Sequence, residues 1–264
     1  GESAFMSCNS IKHLHFGSAL ESINPYAFYD CRGVELININ ESNPYLEIRS
    51  GGLVVKETNE LILACKSTSI DDTVEILGEL CFISDPGQSV LTLPNSIKTI
   101  RKMAFGSYGS LEELVVPDSV TTLEELAFYC CYNLRKINIP YGITKLENGL
   151  FDYCENLETI EIPNSVVEIG SNVFNKCLKL TDVVIPNSVQ TIGRQAFLGC
   201  ENLYSIEIPN SVHSIEHEIF SGCINLGEVI INGSITSIPL EMFKDCTGLT
   251  TVIINANAIL TLAM

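Results

Sequence analysis

Pro163-Asn164-Ser165-Val166-Val167-Glu168-Ile169-Gly170-Ser171-Asn172-Val173-Phe174-Asn175-Lys176-Cys177-Leu178-Lys179-Leu180-Thr181-Asp182-Val183-Val184-Ile185 is one unit of a repeat, and it decides the fold. Its apolar positions are Val166, Ile169, Val173, Phe174, Cys177, Leu180, Val183 and Ile185. So few apolar residues cannot enclose a core of their own. They become buried only against the same positions of a neighbouring unit, so the units must stack. Working outward, proline recurs at 94, 117, 140, 163, 186 and 209 in steps of 23, and Asn232 and Asn255 continue the series. A phenylalanine follows each anchor from 94 to 232 by 11 residues: Phe105, Phe128, Phe151, Phe174, Phe197, Phe220 and Phe243. The same frame reaches back to Asp71 with Phe82 and to Gly17 with Phe28, and Phe5 lies 23 before Phe28. Only the 31 residues 40–70 break the spacing. No residues remain for a second domain, so 1–264 is read as a single solenoid domain.

The spacing within a unit sets its local structure. Leu180-x-x-Val183-x-Ile185 ends in strict alternation and reads as a short strand. Pro186 lacks an N–H for the ladder and closes it, and Asn187-Ser188 supplies turn chemistry. Val189 and Ile192 point inward again. The Ala196-Phe197…Cys200 spacing suits one or two helical turns. The expected fold is therefore a right-handed α/β repeat solenoid, with one parallel sheet on its concave face and short helical turns opposite. In the 31-residue unit, Leu53-Val54-Val55 and Leu61-Ile62-Leu63 flank the polar Lys56–Glu60, which predicts a β-hairpin in place of the helical segment. It is either a protruding contact element or a packed irregularity in the stack.

The charge is −17, from 32 acidic against 15 basic residues. Such a surface repels phosphate backbones, so nucleic acid is not expected as a partner, whereas basic proteins are attracted. No apolar run is long enough to cross a bilayer, so no membrane insertion is expected. The opening Gly1-Glu2-Ser3-Ala4-Phe5 lacks the basic and apolar segments of a secretory leader and falls inside a repeat. The sequence is thus expected to be trimmed, with any leader lying upstream.

Eight of the 11 cysteines occupy one repeat slot, three residues after the phenylalanine: Cys8, Cys31, Cys131, Cys154, Cys177, Cys200, Cys223 and Cys246. Stacked equivalent side chains point in parallel and do not converge, which favours a buried, reduced ladder over disulfides. No Cys-x-x-Cys pair exists, and the vicinal Cys130-Cys131 lacks zinc spacing, which makes metal the weakest alternative. His13 and His15 share one strand face, but no third ligand stands on the next strand. The repeated Asn-Ser pairs at 95–96, 164–165, 187–188 and 210–211 are turn chemistry. There is no nucleophile elbow, phosphate loop or unrepeated polar cluster, so no enzyme activity and no cofactor or metal are expected.

A ligand would most naturally meet the outward positions of the strands, 19 and 21 residues after each anchor. The candidate partner-binding residues on this face are Glu113, Lys136, Asn138, Thr159, Glu161, Asp182, Ser205, Glu207 and Glu228. The acids should steer a basic partner. They should also repel one another across neighbouring strands, with Lys136 and Asn138 giving partial relief.

The run from Ile185 to Ile206, Ile-Pro-Asn-Ser-Val-x-x-Ile-Gly-x-x-Ala-Phe-x-x-Cys-x-x-Leu-x-x-Ile, resembles the BspA-like, or Treponema-type, leucine-rich-repeat family. Asn43-Pro44-Tyr45 and Gly51-Gly52-Leu53-Val54 resemble an insertion found in that family, with Gly51-Gly52 where Asp-Gly is usual. The resemblance covers essentially the whole chain. It implies a leucine-rich-repeat stack in a secreted or cell-surface bacterial protein used in adhesion or in host–microbe interaction. The implied partner is an extracellular protein, and the chain is expected to be a monomer. Alternatives are an intracellular leucine-rich-repeat scaffold, or the targeting arm of a larger surface enzyme.

Overall fold

In a computed structural model of the chain, the structure describes residues 2–82, 85, 87–232, 235, 237–255 and 261–262. The 23-residue frame appears as parallel pairing between residues 23 apart, such as Glu113 with Lys136 and Ser205 with Glu228. Alternation puts Leu114, Val116, Val183, Ile185, Val229 and Ile231 inside and their neighbours out. The strands of this row include His13–Phe16, Leu36–Ile39, Val90–Thr92, Glu113–Val115, Lys136–Ile137, Ser205–Ile208, Glu228–Ile231 and Thr251–Ile254.

The expected single sheet is not what forms. A second row of two-residue strands, among them Thr99–Ile100, Lys145–Leu146, Glu168–Ile169 and Thr191–Ile192, lies where the Val-x-x-Ile segments turn inward. Pairing in both rows is split into short sheets. One cause is visible at Asn138. Its amide takes the place of backbone, Val116 N–H donating to Oδ1 at 2.9 Å and Nδ2 donating to the Val116 carbonyl at 2.7 Å. This leaves Lys136–Ile137 as a strand of two residues.

The helical turns are also corrected. Among the described residues only Pro25–Phe28 is helical, as a 3₁₀ turn. Elsewhere the segment is broken by left-handed residues nine and 13 positions after the anchor: Met103 and Ser107, Leu126 and Cys130, Gly149 and Tyr153, Asn172 and Lys176, Gln195 and Gly199, Glu241 and Asp245. An α-helix cannot pass through such residues, each of which costs about 1–2 kcal/mol when it is not glycine. The backbone recovers that cost between turns of the stack. Phe105 N–H reaches the Ala127 carbonyl at 2.9 Å and Ser107 N–H the Tyr129 carbonyl at 2.8 Å, while Ala104 and Tyr108 bond three residues back.

The core is built of columns. Phe105, Phe128, Phe151, Phe174, Phe197 and Phe220 are fully buried, and consecutive rings stack at 5.2–5.7 Å. Phe82 and Phe243 extend the column. Beside it runs the cysteine column, free and buried from Cys131 to Cys246. Each of these thiols donates to the carbonyl of the phenylalanine one turn back, from Cys131 to Phe105 at 3.0 Å through to Cys246 and Phe220 at 2.9 Å. Cysteine therefore packs as an apolar group and also supplies a weak donor. Cys8, in the first turn, is exposed.

The 31-residue unit forms the expected antiparallel pair, Gly52–Val55 with Glu60–Leu63, and Leu46–Arg49 adds a third strand. Asn43 anchors its start. This buried side chain donates to the Gly17 and Leu20 carbonyls and accepts from Tyr45 and Leu46 N–H. The unit is a partition within the stack. Leu46, Leu53 and Leu63 pack into one core with Leu14, Phe28 and Ile37. Val54 and Leu61 face a second core that holds the long phenylalanine column. At the tip only Glu57 and Thr58 are exposed.

Candidate functional site

The strand row fixes where the nine candidate residues point. In the turns anchored from 94 to 209, buried residues at 20 and 22 after the anchor force those at 19 and 21 outward. Glu113, Lys136, Asn138, Thr159, Glu161, Asp182, Ser205, Glu207 and Glu228 are all exposed on one face. All but Glu228 line a trough made of three furrows that share residues. The first, of about 730 Å³, is lined by Glu113, Val115, Lys136, Asn138, Tyr141 and Glu161, among others. The second, about 600 Å³, shares Thr159 and Glu161 with it and adds Asp182 and Val184. The third, about 320 Å³, shares Asp182 and Val184 and adds Ser205 and Glu207. The trough thus runs across the strands, along the stack. Glu228 lies one turn further, paired with Ser205.

The charges are arranged differently from a simple acidic row. Glu113 has Val90 and Lys136 as its register neighbours, Asp182 has Thr159, and Glu228 has Ser205 and Thr251. Among the described residues of this face, no acid stands directly opposite an acid on an adjacent strand, so the expected repulsion is reduced to diagonal pairs. The ion pairs of the described residues lie elsewhere, as in Arg135–Glu158, Lys145–Glu168 and Arg194–Glu218. Among the described residues, Glu113, Glu161, Asp182 and Glu228 have no ion-pair partner, and neither has Lys136. Glu207 accepts one hydrogen bond, from Asn232 at 2.6 Å. Asn138 differs from the rest because its amide is committed to the Val116 backbone.

Residue-type reasoning passed over the apolar part of this surface. Val115 and Val184 are 49% and 72% exposed, and Tyr141, on the rim, is 69% exposed. Tyr141 follows its anchor proline where Asn164, Asn187 and Asn210 follow theirs. That departure from the repeat was a readable signal. The hairpin segment Lys56–Glu60 does not join the trough. Lys56 donates to the Asn43 carbonyl at 2.6 Å and lines a separate furrow with Asn38 and Glu47. Glu60 pairs with Arg101 at 3.1 Å, and burial raises its carboxyl above the ordinary value.

His13 and His15 are exposed on one face with rings 6.4 Å apart. Burial raises the thiols of Cys131, Cys154, Cys177 and Cys200 well above the ordinary value and that of Cys223 to about 12. These sulfurs are therefore poor nucleophiles and poor metal ligands. Among the described residues, no group of three or more His, Cys, Asp or Glu side chains could hold a metal ion, and no helix is long and apolar enough to cross a membrane.

A family profile described as BspA type Leucine rich repeat region matches in six copies over residues 1–51, 60–181 and 167–262. The first gap falls on the hairpin. Among solved structures, a leucine-rich repeat protein of T. pallidum is 32% identical, covering 62% of this chain and 79% of that one with a TM-score of 0.58. A leucine-rich repeat protein from Bacteroides ovatus is 24% identical over 96% of this chain and 63% of its own, with a TM-score of 0.59. One from Eubacterium ventriosum is 19% identical over 97% and 60%, with a TM-score of 0.54. These last two share the fold. No curated protein sequence matches the chain significantly. By its repeats and their stacking, this chain belongs to the BspA-type leucine-rich repeat family.

Proposed function

We propose that this chain is a non-catalytic protein-binding module, secreted or displayed on a bacterial surface, whose strand-face trough holds a basic extracellular protein in adhesion or host–microbe contact. One observation carries the reading. The trough collects exposed carboxylates that have no ion-pair partners, beside exposed Val115, Val184 and Tyr141. Stacked parallel strands hold that surface rigid before a partner arrives, which lowers the ordering cost of binding. Its charge would speed encounter with a basic partner and make the on-rate fall with salt. Surface location rests on membership of the family. The test is capture of purified basic and acidic matrix proteins on the immobilised chain, with and without the double change Glu161→Lys and Glu207→Lys. Both residues face water, so the fold should persist while basic partners are lost. Capture that survives both the double change and high salt would move the site to the turns or the hairpin.

A further inference from the structure

From Glu161 to Glu228, the last of them one turn beyond the furrows, acids alternate between the two outward columns from turn to turn. Glu161 and Glu207 share one column with exposed Val184 between them. Asp182 and Glu228 share the other with Ser205 between them. Each column therefore repeats its carboxylate every second turn. Paired strands lie about 4.8 Å apart, so that repeat is about 9.6 Å.

An extended ligand lying along the trough crosses the strands and meets this spacing. In a β conformation, side chains on one edge recur about every 6.6 Å, which matches neither one turn nor two. A polyproline-II segment rises about 3.1 Å per residue with three residues per turn, so one edge repeats every 9.3 Å or so. That agrees with two turns of the solenoid. The remaining features suit such a ligand. Polyproline-II segments dock on exposed aromatic and aliphatic surface, and Tyr141, Val115 and Val184 supply it here. Its backbone groups stay solvated, so such a segment does not need a free sheet edge.

We propose that the trough takes a polyproline-II segment carrying lysine or arginine at every third residue, its basic edge in step with the alternating carboxylates. This deepens the strand-face reading and rests on it. Lys136 marks the end of the acidic repeat. It stands two turns before Asp182 in the same column and would repel the next basic residue of the ligand.

The test is fluorescence polarisation with two labelled peptides on the full chain. One has six Pro-Pro-Lys units. The other has six Pro-Pro-Pro-Lys units, with the same charge and conformation but lysine at every fourth residue. The period-three peptide should bind about tenfold tighter, lose that binding in the Glu161→Lys, Glu207→Lys double variant, and gain severalfold in Lys136→Glu while the period-four peptide does not. Circular dichroism of each variant checks the fold. Equal binding of both peptides, lost in the double variant, would overturn the register match and leave the strand face as the site. Failure of both peptides, with basic matrix proteins still captured in a manner sensitive to the double variant, would overturn the polyproline-II ligand alone. Peptide binding indifferent to the double variant would remove this proposal and the strand-face reading together.

Discussion

Replacing Phe174 with alanine tests the claim that the phenylalanine column carries the stack. Phe174 is fully buried between Phe151 at 5.7 Å and Phe197 at 5.2 Å. Removing a buried phenylalanine costs about 3–5 kcal/mol through lost burial and the cavity left behind. Two ring contacts, each worth about 0.5–1.5 kcal/mol beyond burial, place this site in the upper part of that range. Phe5 is the internal control. It is 46% exposed and stacks on one ring alone, Phe28 at 5.0 Å. Half the burial and one contact give about 2 kcal/mol for Phe5→Ala. The chain has no tryptophan, so urea unfolding would be followed by far-ultraviolet circular dichroism and tyrosine fluorescence. A loss below about 1.5 kcal/mol for Phe174→Ala, or equal losses at the two sites, would refute two-sided stacking as the source of stability.

Thiol labelling of the native chain should be fast at Cys8 alone, which is exposed, and slow from Cys131 to Cys246 until denaturant is added. Cys177→Ala should cost about 1 kcal/mol for the lost bond to the Phe151 carbonyl, plus a small cavity term, by the same unfolding assay. Asp152 is pushed up to about 6 by burial, opposed by the Asn175 amide at 2.9 Å. A carboxyl raised in the folded state favours folding most when protonated. That contribution is fully present below the unfolded value near 3.9 and is lost as pH rises toward 6. Asp152→Asn should therefore be about 1–2 kcal/mol more stable than the parent at pH 7, solvent screening of this half-buried group included, and indistinguishable near pH 4, as read from urea midpoints across that range. Leu53→Ala should accelerate hydrogen exchange mainly around Leu14 and Ile37, and Val54→Ala mainly around Val74 and Ile97, because these adjacent residues face different cores. Identical exchange patterns would mean the partition does not separate them.

How much could be read beforehand depends on how far a residue's surroundings follow from its own repeat. The anchors, the buried phenylalanines and the free thiols were legible because 23-residue spacing makes each such residue its own neighbour's neighbour. The outward position of Glu113, Glu161 and Asp182 was legible for the same reason, since period-two alternation assigns faces without reference to the rest of the chain. The helical turns were not. Spacings of three and four around Ala196, Phe197 and Cys200 suit a helix equally well, and only the stacked neighbour, by accepting the N–H of Phe197, lets Gln195 and Gly199 stay left-handed. The hairpin pair was visible in two apolar runs, but its role as a wall between two cores depends on what packs against each side of Gly52–Val55. The trough shows the same division. Periodicity alone put the acids on one surface. The furrows, the commitment of Asn138 to Val116, the exposure of Tyr141 and the separation of Lys56 from that surface required the turns to be assembled, because each depends on contacts between residues that no local pattern brings together.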